Sequence, residues 1–205
     1  KKTRRITAVV LAVLTVLGSF FAVTASAATV SITFDYCYDT AGNIIKFKQK
    51  ITDDGYTVGT EGEELCRIYA DGKDAYCIEP GRTLISGNKL DSASSKAWSS
   101  LSEGQRTAVN LAILYGKGGS SDNLGGTQGQ QWIATQLIVW EIVTGCRKTT
   151  GTFACTNTKY IESICKSGSN PGVRSIYNKI SNALSAHLTL PSFAKVTKSS
   201  APPPP

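Results

Sequence analysis

Histidine and methionine are almost missing from this 205-residue chain, which has one histidine, His187, and no methionine at any position. A single imidazole excludes sites built on several histidines, such as a His-rich metal centre. Since position 1 is not methionine either, the initiator is expected to have been left off. Charged residues are sparse at 18%, against 41% hydrophobic, a balance that buries a core and excludes wholesale disorder. Beyond the N-terminal segment, no second apolar run is long enough to span a bilayer. What charge there is leans positive: 22 Lys+Arg against 15 Asp+Glu give +7, which raises nucleic acid or a membrane surface as partners.

The distribution of that charge changes its meaning. Lys1, Lys2, Arg4 and Arg5 open the chain, an apolar run follows from Ile6 to about Val23, and Ala25-Ser26-Ala27 fits the small-x-small pattern cleaved by signal peptidase. Residues 1–27 are therefore expected to be a signal peptide, with the mature start near Ala28. Losing those four cations lowers +7 by four to +3, an ordinary surface, so nucleic acid is not an expected partner. The membrane is expected to matter only during export.

Export also sets how the cysteines read. Cys37, Cys66, Cys77, Cys146, Cys155 and Cys165 all lie after the signal segment, and an even count in an oxidising compartment suggests a disulfide framework. Cys146, Cys155 and Cys165 are close enough in sequence to staple one loop. The same three with His187 could ligate zinc in principle, but no paired CxxC spacing supports a metal site.

The remaining pattern is strand-rich first and helix-rich later. Thr29–Tyr38 carries strand-forming residues, with Ile44–Ile51 as its expected partner; Cys66–Ala70 and Ala75–Glu79 form a second expected hairpin around Asp71-Gly72-Lys73-Asp74. Ser102 is placed to cap a helix ending at Gly116, and Gly118–Gly129 reads as a loop. Helices are expected over Gln130–Thr144, Lys159–Lys166 and Val173–His187. Ala201 and four prolines end the chain as a polyproline-type spacer, so that 28–193 is the expected domain and 194–205 a linker to further modules.

Two segments carry an anomaly. Gln136 shares a stripe with Ile133 and Trp140 in a helix apolar nearly all round, where an unsatisfied amide costs about 1–3 kcal/mol. On the helix alone, a core glutamine bonded to a neighbouring backbone is the favoured reading, since buried polar groups are usually just satisfied. Cys77 stands in Tyr76-Cys77-Ile78-Glu79-Pro80-Gly81, where a disulfide half or an inert buried thiol is the ordinary reading.

Taken together, Tyr76-Cys77-Ile78-Glu79-Pro80-Gly81 and Thr135-Gln136-Leu137-Ile138-Val139-Trp140-Glu141 resemble the paired motifs of the thioester domains found at the tips of Gram-positive surface adhesins and pili. The resemblance covers roughly residues 30–193, and Leu190-Pro191-Ser192-Phe193-Ala194 looks like the exit of such a domain. It implies an α+β fold, with an antiparallel β-sandwich or barrel-like subdomain packed on a mainly helical one. It also implies a cross-link in which the Cys77 thiol attacks the Gln136 side-chain amide, ammonia leaves and an internal thioester remains. A lysine amine of a host extracellular or matrix protein would then open the thioester, anchoring a monomeric tip domain covalently to the host from the bacterial cell wall. Each domain would react once, so it is not a turnover enzyme, and no cofactor is called for.

The chemistry gives the surrounding residues expected roles. A thioester must be kept from water while it waits, which suits the bulk of Tyr76 and Trp140. The attacking species is the thiolate, and Glu79 or Glu141 could shuttle its proton. Thr135 belongs to the motif as a supporting residue. The interval from Cys77 to Gln136 is 59 residues, short for this family, so the insert between them must be compact. With Cys77 committed, Cys37, Cys66, Cys146, Cys155 and Cys165 are an odd number of disulfide candidates. The alternatives are a non-covalent binding module with Cys77 in a disulfide, and a hydrolase pairing Cys77 with His187, which needs a third, orienting group.

Overall fold

The computed structural model describes residues 29–82, 89–91, 96–119, 123–150 and 152–187. The signal segment 1–27, the Leu190–Ala194 exit and the 194–205 linker lie outside the described residues. The chain is mixed α+β with antiparallel sheets, and no closed barrel forms among the described residues. Strands β1 (Thr29–Tyr36), β4 (Cys66–Ala70), β5 (Lys73–Ala75) and β6 (Lys89–Asp91) make a four-stranded sheet in the order β5-β4-β1-β6. Strands β2 (Ile51–Asp53) and β3 (Tyr56–Gly59) form a separate two-stranded ribbon.

The β4–β5 hairpin is tighter than its composition suggests. Ala70 pairs directly with Lys73, leaving a two-residue turn in which Asp71 and Gly72 take φ of 48° and 74°. Two consecutive positive φ angles match the right-handed twist of the strands, and Asp-Gly is the pair that tolerates them. The expected strand Ala75–Glu79 is accordingly corrected to Lys73–Ala75, and residues after Ala75 leave the sheet.

Ile44–Ile51 is likewise not the regular partner of β1. Its alternation is real, since Ile45, Phe47 and Ile51 are buried. Only single bridges form, Tyr38 to Ile44 and Lys46 to Glu64, because the segment is shared between two neighbours: Ile45 N–H donates to Cys37 and Phe47 N–H to Glu63. The long partner of β1 is β4, from Ile32 opposite Ala70 to Tyr36 opposite Cys66.

Five α-helices follow among the described residues: α1 (Lys96–Ser100), α2 (Glu103–Tyr115), α3 (Gln128–Val143), α4 (Lys159–Cys165) and α5 (Pro171–His187). Ser102 caps α2 as expected, in a reciprocal box with Gln105. Thr127 and Gln130 build the same device at α3, which therefore starts two residues before the expected Gln130. Every residue from Trp132 to Ile142 is buried, so α3 is the central helix, packed against α5, α2 and α4 and touching β4. Its C-terminal half and the outgoing end of β5 bound the site.

Candidate functional site

Cys77 lies two residues beyond β5, where the chain has lost its strand neighbour, and Gln136 replaces that neighbour. The Cys77 N–H donates to Gln136 Oε1 at 2.8 Å, and Gln136 Nε2 donates to the Cys77 carbonyl at 2.8 Å. A primary amide offers one acceptor and donors in the same plane, so it can complete a backbone pair as a strand would. Gln136 is only 1% exposed, and this pair satisfies its amide inside the core. Fifty-nine residues of chain separate the partners, yet the acyl carbon of one is held beside the residue that carries the thiol of the other.

The motif neighbours hold this register. Tyr76 donates its hydroxyl to the Lys117 carbonyl, and Thr135 Oγ1 accepts from the Lys117 N–H at 2.8 Å. The residues immediately before Cys77 and Gln136 thus grip the two faces of one residue in the α2–α3 connection. A Cβ at Gly116 would lie 2.3 Å from Thr135 Oγ1, so only glycine admits this approach. Trp132 completes the brace: its ring stacks on Tyr76 with centroids 5.8 Å apart, and its indole N–H donates to the Ala75 carbonyl at 3.0 Å. Sequence reasoning missed Lys117, because it contributes backbone and not side chain; the tight Gly116-Lys117-Gly118-Gly119 run was the available signal.

The thiol sits in a guarded position. Cys77 Sγ is 3.3 Å from the Glu79 carbonyl, and with Trp140, Trp132, Leu65 and Ile68 it lines a cavity of about 340 Å³. Burial pushes the Cys77 thiol above its ordinary pKa, and the nearby Glu79 carboxylate adds to this; the Glu79 carbonyl contact and the Trp140 indole act in the opposite direction. The group therefore rests as a neutral thiol at neutral pH. The Glu79 side chain is exposed and borders a neighbouring cavity of about 480 Å³ with Asp53, Asp54 and Arg82.

Glu141 is not brought to the thiol. It lies at 0% exposure against Arg147, whose Nε and Nη2 donate to Oε2 at 2.9 and 2.6 Å, while the Tyr177 hydroxyl lies 2.9 Å from Oε1. Arg147 also donates to the Phe153 carbonyl and to Ser181. This network ties α3 to the following loop and to α5. Nothing in the sequence paired Glu141 with Arg147, although the two are six residues apart.

All six cysteines are free thiols in this structure. Cys37 and Cys165 are buried, and burial raises them to about 12 and about 11. Cys66 lies opposite Tyr36 in the sheet. Cys146 and Cys155 sit on one loop, closed by a bridge between Arg147 and Cys155. Among the described residues no group of three or more His, Cys, Asp or Glu side chains is gathered to hold a metal ion. His187 bonds through Nδ1 to the Tyr115 hydroxyl at 2.6 Å. No described helix is long and apolar enough to cross a membrane.

Compared with known proteins, the chain matches no family model, no curated protein and no solved structure.

Proposed function

We propose that this chain forms an internal thioester between Cys77 and Gln136 and uses it once, as a covalent adhesin. The observation that carries this reading is the reciprocal pair between the Gln136 amide and the Cys77 backbone. With Oε1 bonded to the Cys77 N–H, the acyl carbon is polarised, and the same donor stabilises the oxyanion that forms when sulfur attacks. The step balances within the two side chains: an Sγ–Cδ bond forms, the Cδ–Nε2 bond breaks, and the thiol proton leaves with the nitrogen as ammonia. Glu79, two residues on from the thiol and close enough for its charge to act on it, is the carboxylate suited to carry that proton; Glu141 is committed to Arg147.

The product is an activated acyl group in a cleft walled by Trp132 and Trp140, which limits hydrolysis. An amine then attacks Cδ, the Cδ–Sγ bond breaks, and an amide links Gln136 to the incoming chain. In this reading the amine is a lysine of a host surface or matrix protein, and the domain is exported to a Gram-positive cell surface as the tip of a longer protein. Its sheets would form the sandwich-like part of a thioester domain, and the helices its second part.

Intact mass provides the test. The mature domain should be lighter by one ammonia, and methylamine should then add its full mass at Gln136, leaving the chain one CH2 heavier than the unreacted sequence. An unmodified wild-type mass, or the same loss in Cys77→Ala, would sink the proposal.

A further inference from the structure

The two tryptophans of α3 that flank the thiol differ in one respect. Trp132 has its indole N–H satisfied by the Ala75 carbonyl. The Trp140 Nε1 is buried with no acceptor in hydrogen-bond geometry, in a residue only 9% exposed. An orphaned buried donor is costly, at about 1–3 kcal/mol, and therefore rare. Trp140 stands four residues after Gln136 on the same stripe of α3, lines the cavity that holds Cys77, and is kept in place by the Tyr160 ring at 5.8 Å. The Gln136 oxygen is already taken by the Cys77 N–H; beside the indole, the Tyr160 hydroxyl is a second orphan, and in the cavity that Trp140 lines the Cys77 sulfur is an acceptor still lacking a strong donor.

We propose that the Trp140 indole N–H is the donor that stabilises negative charge on the Cys77 sulfur, first as nucleophile and later as leaving group. The neutral thiol is a poor acceptor, so the bond tightens only when sulfur is charged. During thioester formation the sulfur is anionic as it reaches Gln136 Cδ. During aminolysis the Cδ–Sγ bond breaks, its electron pair returns to sulfur, and a proton from the attacking amine restores the thiol. One donor thus serves both directions and is satisfied only while the reaction is under way. That the Trp140 indole draws the thiol pKa down against burial agrees with this geometry. The inference rests on the thioester reading for its chemistry, but the contact with sulfur can be measured without it.

In a full chain carrying Gln136→Met, which cannot form the thioester, Cys77 alkylation by iodoacetamide is followed across pH by peptide mass. Trp140→Phe, or 3-benzothienylalanine at 140 to keep the indole's bulk without its N–H, should raise the midpoint by about one pH unit. At a fixed pH below both midpoints, that is about tenfold slower alkylation. With Gln136 restored, ammonia loss and methylamine addition should each slow by about tenfold. An unchanged midpoint with the benzothienyl side chain would overturn the donor role, whatever happens to the thioester. A shifted midpoint in a chain whose Gln136 form never loses ammonia would uphold the contact and overturn the thioester reading alone.

Discussion

Of the polar side chains that helix α3 buries, Gln136 and Glu141, five residues apart, are satisfied in opposite ways. Gln136 meets a backbone through two neutral hydrogen bonds; Glu141 meets Arg147 as a full ion pair with Tyr177 in support. A buried charge cannot be released without a large desolvation cost, so the second cluster is fixed once the protein folds. A neutral amide gives up its partners far more cheaply, and here it has a thiol beside it. Chemistry can therefore happen at Gln136, and architecture is maintained at Glu141.

The strongest way to break that contrast is Arg147→Ala. It leaves Glu141 buried without its cation and should cost about 3–5 kcal/mol, read as a lowered denaturation midpoint. Where the variant is still folded, its ammonia loss should match wild type; selective loss of the reaction would show that the ion pair belongs to the site. Next in size is Thr135→Val, which removes the acceptor for the part-buried Lys117 N–H and should destabilise by about 1 kcal/mol or somewhat more. Tyr76→Phe removes one donor from the Lys117 carbonyl while keeping the stacking on Trp132, and should cost about 1 kcal/mol. Both clamp variants should slow thioester formation more than Arg147→Ala does at equal stability. Equal rates would reduce the clamp to ordinary packing.

The mildest test is pH. A folded-state thiol pKa raised by burial means that less thiolate exists at a given pH than in a free cysteine. Thioester formation should therefore accelerate as pH rises through and beyond the ordinary cysteine range, provided the fold persists. In the Gln136→Met chain, where Cys77 stays a thiol, Cys37, raised to about 12 and fully buried, should be alkylated later than Cys77. A flat rate between neutral and alkaline pH would show that proton removal from Cys77 does not limit the reaction.

Local signals in the sequence read well where the cause is local. Ser102 and Gly116 bound α2 through capping and close approach, and the apolar circumference of 132–142 marks α3 as central. The start of α3 was legible too, in the Thr127–Gln130 spacing, but the surrounding glycines suggested loop. Ile44–Ile51 misled because alternation reports which side chains are buried and says nothing about which backbone pairs with them. Ala75–Glu79 misled for a related reason: the partner that continues the strand's hydrogen bonding at Cys77 is a side chain from a helix.

The chain alone determined that a thiol and an amide stand in marked surroundings, one before a Pro-Gly break and the other inside an apolar helix. It determined the cores of the helices, since caps and periodicity act over a few residues. Only the tertiary structure decided which buried polar group meets the thiol. Gln136 and Glu141 are both motif residues on one helix, and their different angular positions send one to Cys77 and the other to Arg147. That choice depends on where the end of β5 and the loop after α3 pack, and such distances are set by folding and not by spacing along the chain.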